Sequence, residues 1–160
     1  MVILGIDPGF QCAGFGILKK EGRQALLLDY GYLAMSSSES LIDRIGIFHD
    51  FFEKKIVDLH VTTIAIETPF LGKNAQNFLK LGYLRGIVYL LCNKHKLILH
   101  EFAPREVKQS VTGFGGATKE QVARVILQLF PGMDIPKKED VTDALAVTLC
   151  GLWNNNNYSA

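Results

Sequence analysis

Near its start the chain runs Val2-Ile3-Leu4-Gly5-Ile6 and then breaks at Asp7-Pro8-Gly9. No other stretch limits the fold as tightly. A run with no polar side chain before its last residue predicts a strand buried on both faces of a sheet. The break is abrupt, because Pro fixes φ and Gly accepts φ > 0, so the acid stands at the strand's last position. Two readings of Asp7 stay open on this stretch alone. It is a turn residue that ends a strand, or it is a carboxylate held rigidly at the mouth of a sheet.

The chain beyond this strand predicts a layered α/β fold. Cys12 to Leu18 reads as a second strand, antiparallel to the first because the link is short, with Gly14 and Gly16 permitting close backbone approach. Ala25 to Met35 reads as a third. Ser36-Ser37-Ser38 offers an N-cap, and Leu41, Ile45, Phe48, Phe52, Ile56 and Leu59 recur at helical spacing. Thr62 to Glu67 is a β-branched strand that again ends in a carboxylate, and its return from a helix predicts a parallel partner. A helix over about 75–94 carries more apolar residues than one face needs, with Gly82 and Gly86 four apart. That pattern predicts a subunit interface, or else a helix buried centrally in its own domain. A fifth strand over 97–102 follows, then a helix from Pro104 to Val111, a mobile Gly-rich loop over 113–116, and a helix opened by the Thr118/Gln121 capping pair. The last helix starts near Glu139. The expectation is a five-stranded mixed sheet flanked by helices, in one domain over 1–153, with 154–160 a disordered polar tail.

Composition narrows the class. At 160 residues, 48% hydrophobic and 21% charged, the chain suits one globular domain. No apolar run approaches the roughly 18 residues of a membrane helix, and the opening reads as strand, not as a signal peptide. Cys12, Cys92 and Cys150 form no pair pattern and read as free thiols of a cytoplasmic protein. The four His residues lack zinc-site spacing. Net charge is only +1, yet residues 68–100 hold five bases and no acid, which suits a localised groove for phosphates.

The chemistry sits in carboxylates. Asp7 and Glu67 each end an apolar strand, and Asp140 and Asp143 share one face at the start of the last helix. Acids in a first helical turn are also ordinary caps. What sets the four apart is their place at the ends of buried elements, where several carboxylates together are costly unless cations neutralise them. An all-oxygen set without His or Cys suits Mg²⁺, and two such ions about 4 Å apart clamp a phosphodiester and activate water. Neutralising the four acids raises the formal charge of the remainder from +1 to +5, which favours a nucleic-acid substrate. An actin-like phosphotransferase also begins with a strand and an acidic turn, but it needs two lobes and a longer chain. A nuclease acting on another branched or hybrid nucleic acid, and a nucleic-acid-binding module without catalysis, are the other readings.

The set I-L-G-I-D-P-G, A-I-E-x-x-F-x-x-K-N-A, K-L-G-x-x-R-G, V-K-Q and D-x-x-D-A-L-A, in this order from about residue 2 to 150, resembles the RuvC-type Holliday-junction resolvases of the RNase H-like superfamily. The resemblance implies an RNase H-like fold, with Asp7, Glu67, Asp140 and Asp143 as metal-binding catalytic acids for two Mg²⁺ per subunit (Mn²⁺ substituting). It implies a homodimer that resolves four-way DNA junctions by paired nicks, leaving 5′-phosphates and 3′-hydroxyls, in company with a branch-migration helicase complex. Phe70 matches an aromatic placed by the junction, and Lys108 and Lys119 match lysines near the DNA. Lys73, Lys80 and Arg85 are further phosphate candidates. Each of these also has an ordinary reading, as core aromatic or solvated base.

Overall fold

The computed structural model describes residues 1–69 and 74–154. Its strands are β1 (Val2–Asp7), β2 (Cys12–Glu21), β3 (Gln24–Ala34), β4 (Thr63–Glu67) and β5 (Ile98–Phe102). They form one mixed sheet in the order β3-β2-β1-β4-β5. β1, β2 and β3 are an antiparallel meander, whereas β4 runs parallel to β1 and β5 parallel to β4. The division follows the connections: tight turns reverse the chain, and helical crossovers bring it back in the same direction.

Side chains alternate across β1, and each set meets its own helical layer. Leu4 and Ile6 pack with Phe48 and Phe52 of α1 (Leu41–Asp58) and with Leu84 and Val88 of α2 (Ala75–His95). Ile3 packs on the other face with Leu145 and Leu149 of α5 (Glu139–Asn154). α3 (Pro104–Thr112) and α4 (Lys119–Leu129) cover α5 in turn, so α5 is buried from Val141 to Leu152 except at Asp143. A helix apolar on nearly every side is stable only in such a position.

Three glycines decide how close α5 comes to the sheet. A Cβ on Gly14 would lie 1.9 Å from the Asp140 carbonyl oxygen, and one on Gly5 would lie 2.0 Å from Thr148 Oγ1. One on Gly16 would lie 2.4 Å from Leu145 Cδ2. The helix therefore rests on bare strand backbone. Thr148 turns its hydroxyl back to the Ala144 carbonyl at 2.6 Å, so this buried donor is paired.

Two local expectations change. The cap of α1 is Ser40, whose hydroxyl accepts from Asp43 N at 3.1 Å, and not the serine triplet before it. Ser36 and Ser38 are joined to each other instead, with hydroxyls 2.7 Å apart, because Ser36 N is held by Glu39 and the chain has not yet entered the helix. Asn154, expected in a polar tail, is the last residue of α5 and donates its amide to Cys150 Sγ at 3.1 Å. Residues 155–160 of that tail lie outside the described residues. Among the described residues no helix is long and apolar enough to cross a membrane.

Candidate active site

Strand register makes the first half of the site. β1 and β4 pair in parallel with Ile6 opposite Ile66, so the next step along both strands sets Asp7 beside Glu67. Alternation carries both carboxylates to the α5 face, since Gly5 and Ala65, two residues before each, also face α5. The glycine seat makes the second half. Gly14 lies opposite Asp7 in the β1–β2 ladder and under the backbone of Asp140, so the first turn of α5 is pressed against the end of β1. Asp140 and Asp143, three residues apart on that helix, then stand near enough to Asp7 for both charges to act on it.

Asp7, Glu67 and Asp143 line a cavity of about 270 Å³ closed by Lys108 of α3, Lys119 of α4 and the apolar side chains of Ile6, Val107, Val122, Ala146 and Val147. A second cavity, of about 410 Å³, opens from the other side of Asp7 and Glu67 toward α2. The walls of the first remove water from the acids. Burial, followed by the charges of Asp143, Asp140 and Glu67, pushes the Asp7 carboxyl up to about 7. Burial and Asp143 raise Glu67 as well, against the pull of Lys119 and Lys108. Lys119 donates to Asp143 Oδ2 at 2.7 Å, and this hydrogen bond raises its own pKa.

Of the residues named from sequence, the fold brings Asp7, Glu67, Asp140, Asp143, Lys108 and Lys119 to one place. Lys80 lies apart, exposed on α2. Phe70 and Lys73 fall outside the described residues. Arg85 is a correction: expected to meet phosphates, it is only 7% exposed. Its guanidinium is spent inside the protein, on the Glu67 carbonyl at 2.6 Å and on Glu101. Its place on the buried face of α2, beside Leu84 and Val88, is the physical reason. Sequence reading missed its partners: Glu101 comes from another element, β5, and Tyr89, one turn along α2, joins the network through that same glutamate. It also missed Cys12, a thiol hydrogen-bonded to Asp140 and pushed up to about 11 by burial and by that carboxylate.

The donor set fits a hard divalent cation. It offers oxygen alone, and Asp7, raised first by burial and then by three neighbouring carboxylates, stands where a cation would favour its charged form. Among the described residues no three His, Cys, Asp or Glu side chains stand together as a ready ligand group. Lys119 supplies the countercharge at Asp143 in this arrangement.

Comparison with known proteins agrees with this geometry. The family model for the crossover junction endodeoxyribonuclease RuvC matches residues 3–151. The enzyme of that name from Pelodictyon phaeoclathratiforme is 43% identical over 152 residues, covering 95% of this chain and 80% of the relative. Thermus thermophilus RuvC superposes with a TM-score of 0.88 at 27% identity, over 98% of this chain and 96% of the other. The same enzyme in complex with a Holliday junction substrate superposes with a TM-score of 0.90 at 27% identity, over 97% and 94%. The sheet order and the two helical layers are thus those of an RNase H-like fold, as the sequence predicts. With matches that run through every motif of the site, the chain belongs to the RuvC family of crossover junction endodeoxyribonucleases.

Proposed function

We propose that this protein is a Mg²⁺-dependent resolvase of four-way DNA junctions, acting as a homodimer that places one nick in each of two strands. The observation that carries this reading is the convergence of Asp7, Glu67, Asp140 and Asp143, from two strands and one helix, beside Lys108 and Lys119. The substrate follows from the family and from the Thermus thermophilus enzyme, whose complex contains a Holliday junction.

Bound divalent cations would neutralise the acids, polarise the scissile phosphodiester and lower the pKa of an attacking water. The protein's own part is placement. Asp7 and Glu67 are held by sheet register, and Asp140 and Asp143 by the seat of α5, so the backbone of each acid is fixed and only side-chain rotation is left for the carboxylates to gather round a metal. Lys108 and Lys119 face the same cavity, where they can neutralise non-bridging phosphate oxygens. Hydrolysis in this arrangement leaves a 5′-phosphate and a 3′-hydroxyl.

The dimer reading rests on α2. One side of that helix buries Leu84, Val88 and Leu91, yet Leu79, Tyr83 and Leu90 are exposed on others. Among the described residues, nothing beyond their own turns of helix lies within 4 Å of where a Cβ on Gly82 or Gly86 would stand, so a second helix can approach there. A cytoplasmic place of action and a branch-migration helicase complex as partner complete the proposal.

The test is cleavage of four-way, three-way, linear duplex and RNA–DNA hybrid substrates side by side with Mg²⁺. Preferred paired nicking of the four-way junction is expected, and it should vanish in Asp7→Asn while junction binding persists. Equal cutting of plain duplex, or full activity in Asp7→Asn, would overturn the reading.

A further inference from the structure

Arg85 stands out among the buried groups that the chemistry above leaves unused. It is a buried guanidinium on α2 whose hydrogen bonds run to two other elements. Its Nη1 donates to the Glu67 carbonyl at 2.6 Å, and its Nη2 donates to Glu101 Oε1 of β5. Tyr89, one turn further along α2, donates its hydroxyl to the same Glu101 oxygen at 2.9 Å. The Arg85 guanidinium also lies 6.0 Å from the Tyr89 ring centroid.

The location of the accepting carbonyl gives this network its meaning. Glu67 is the last residue of β4, where ladder bonds stop and the chain leaves the sheet. One bond beyond it, Thr68 N donates to the Phe102 carbonyl at 2.8 Å, tying that exit to β5. Arg85 holds the peptide between those two points from the opposite side. A strand-end peptide held at its carbonyl and at the next N–H cannot rotate, so the Cα–Cβ direction of Glu67 is fixed. The effect is not one of charge on the carboxyl: Lys119 and Lys108 are the cations that lower it, across the cavity. A planar fork is needed, because two acceptors on two elements must be met at once, and a lysine ammonium at the same place would serve them poorly.

We propose that Arg85, braced by Tyr89 and Glu101, is a positioning residue that sets the orientation of the Glu67 carboxylate for metal binding, and that it is not a contact for DNA phosphates. The proposal rests on the reading of Glu67 as a metal-binding acid. It also links two parts of the molecule: the helix that carries the exposed Leu79, Tyr83 and Leu90 is the helix that holds a carboxylate of the site. A shift of α2 would therefore be felt at Glu67.

The experiment compares wild type with Arg85→Lys, Tyr89→Phe and Glu101→Gln in four measurements: Mn²⁺ binding to the DNA-free protein by electron paramagnetic resonance, Mg²⁺ titration of junction cleavage, junction affinity without metal as a function of salt, and thermal unfolding. Arg85→Lys is expected to weaken Mn²⁺ binding and raise the Mg²⁺ needed for half-maximal cleavage by about tenfold. Junction affinity and its salt slope should stay as in wild type. Tyr89→Phe and Glu101→Gln, which leave the arginine in place but remove its brace, should move the same two metal readouts in the same direction by less. Unchanged Mn²⁺ binding in Arg85→Lys with a lowered salt slope would overturn the proposal in favour of a phosphate contact. Loss of thermal stability with unchanged metal dependence would overturn it in favour of packing alone. Failure of the underlying reading looks different: Glu67→Gln would then bind Mn²⁺ and cut junctions as well as wild type.

Discussion

Lys119 Nζ stands 2.7 Å from Asp143 Oδ2, joining the first residue of α4 to the second turn of α5 across the mouth of the acid cluster. The lysine side chain is 61% exposed, whereas the aspartate is 24% exposed, so the bond closes the cavity with a group that can swing away into solvent. Lys119 also lowers both Asp7 and Glu67 through its charge. In the proposed function it would play two parts in turn, countercharge to the acids before metal arrives and partner to a phosphate afterwards. Replacing it with Met should tighten Mn²⁺ binding a few-fold, since the cation no longer displaces an ammonium. Cleavage at saturating Mg²⁺ should nevertheless fall by about tenfold or more, and the salt slope of junction binding should drop by about one. Parallel metal titrations and salt series on Lys119→Met and wild type measure all three.

Asp7 gives a pH prediction with a definite sign. Its carboxyl titrates near 3.8 when free and near 7 in the fold. A raised acid favours its protonated form in the native state, so its contribution to stability is full below about pH 4 and is lost as pH rises through about 7. Without metal, Asp7→Asn should therefore be more stable than wild type at pH 8, by on the order of 2–4 kcal/mol, with the difference shrinking toward pH 4. Denaturant midpoints in the presence of a chelator, at both pH values, give the comparison. Added Mg²⁺ should stabilise wild type at pH 8 and leave Asp7→Asn almost unmoved.

The seat of α5 predicts a severe effect from a single methyl group. Gly14→Ala puts a Cβ 1.9 Å from the Asp140 carbonyl, and backbone on backbone has no flexible side chain to give way. Destabilisation of about 3 kcal/mol or more is expected, and any folded fraction should bind metal poorly because the first turn of α5 has been pushed off β1. Thermal unfolding and Mn²⁺ binding of Gly14→Ala, set against the more distant Gly16→Ala, separate the two effects. The latter meets only the Leu145 side chain first and should lose stability more than metal affinity.

On α2 the same substitution should do the opposite. Among the described residues, nothing beyond its own turns of helix lies within 4 Å of a Cβ at Gly86, and an alanine there raises helix propensity by about 0.5–1 kcal/mol. If two copies of α2 pack against each other, that methyl also holds them apart. Gly86→Ala is thus expected to yield a more stable subunit that dissociates more readily, and Leu90→Glu, at a 52% exposed position, should sediment as a monomer. Sedimentation velocity across a concentration series tests both, together with the loss of paired nicking in the monomeric variant.

Much of this molecule follows from local pattern. Apolar runs of strand length, helical spacing of Leu41 to Leu59 and the Thr118/Gln121 capping pair mark elements whose formation depends on near neighbours alone. The two strand-end acids and the Asp140/Asp143 pair were legible for the same reason, since each sits at an element's end where polarity changes abruptly. Gly14 and Gly16 announced a close approach, and the cap at Ser40 was missed because the choice among nearby serines depends on where the helix backbone begins.

Tertiary structure decided the rest, since the deciding contacts join residues far apart in sequence. The approach at Gly14 is made by α5, more than a hundred residues later, and this sets Asp140 and Asp143 against Asp7. Arg85 looked like a surface base in a basic stretch, but its side of α2 faces the core and its charge is spent on Glu67 and Glu101. Sequence determined which groups are available and which face of each element they occupy, because covalent geometry fixes the helical and strand periods. Register and packing determined which of those groups meet, and so which carboxylates are buried together and which base is spent inside the protein.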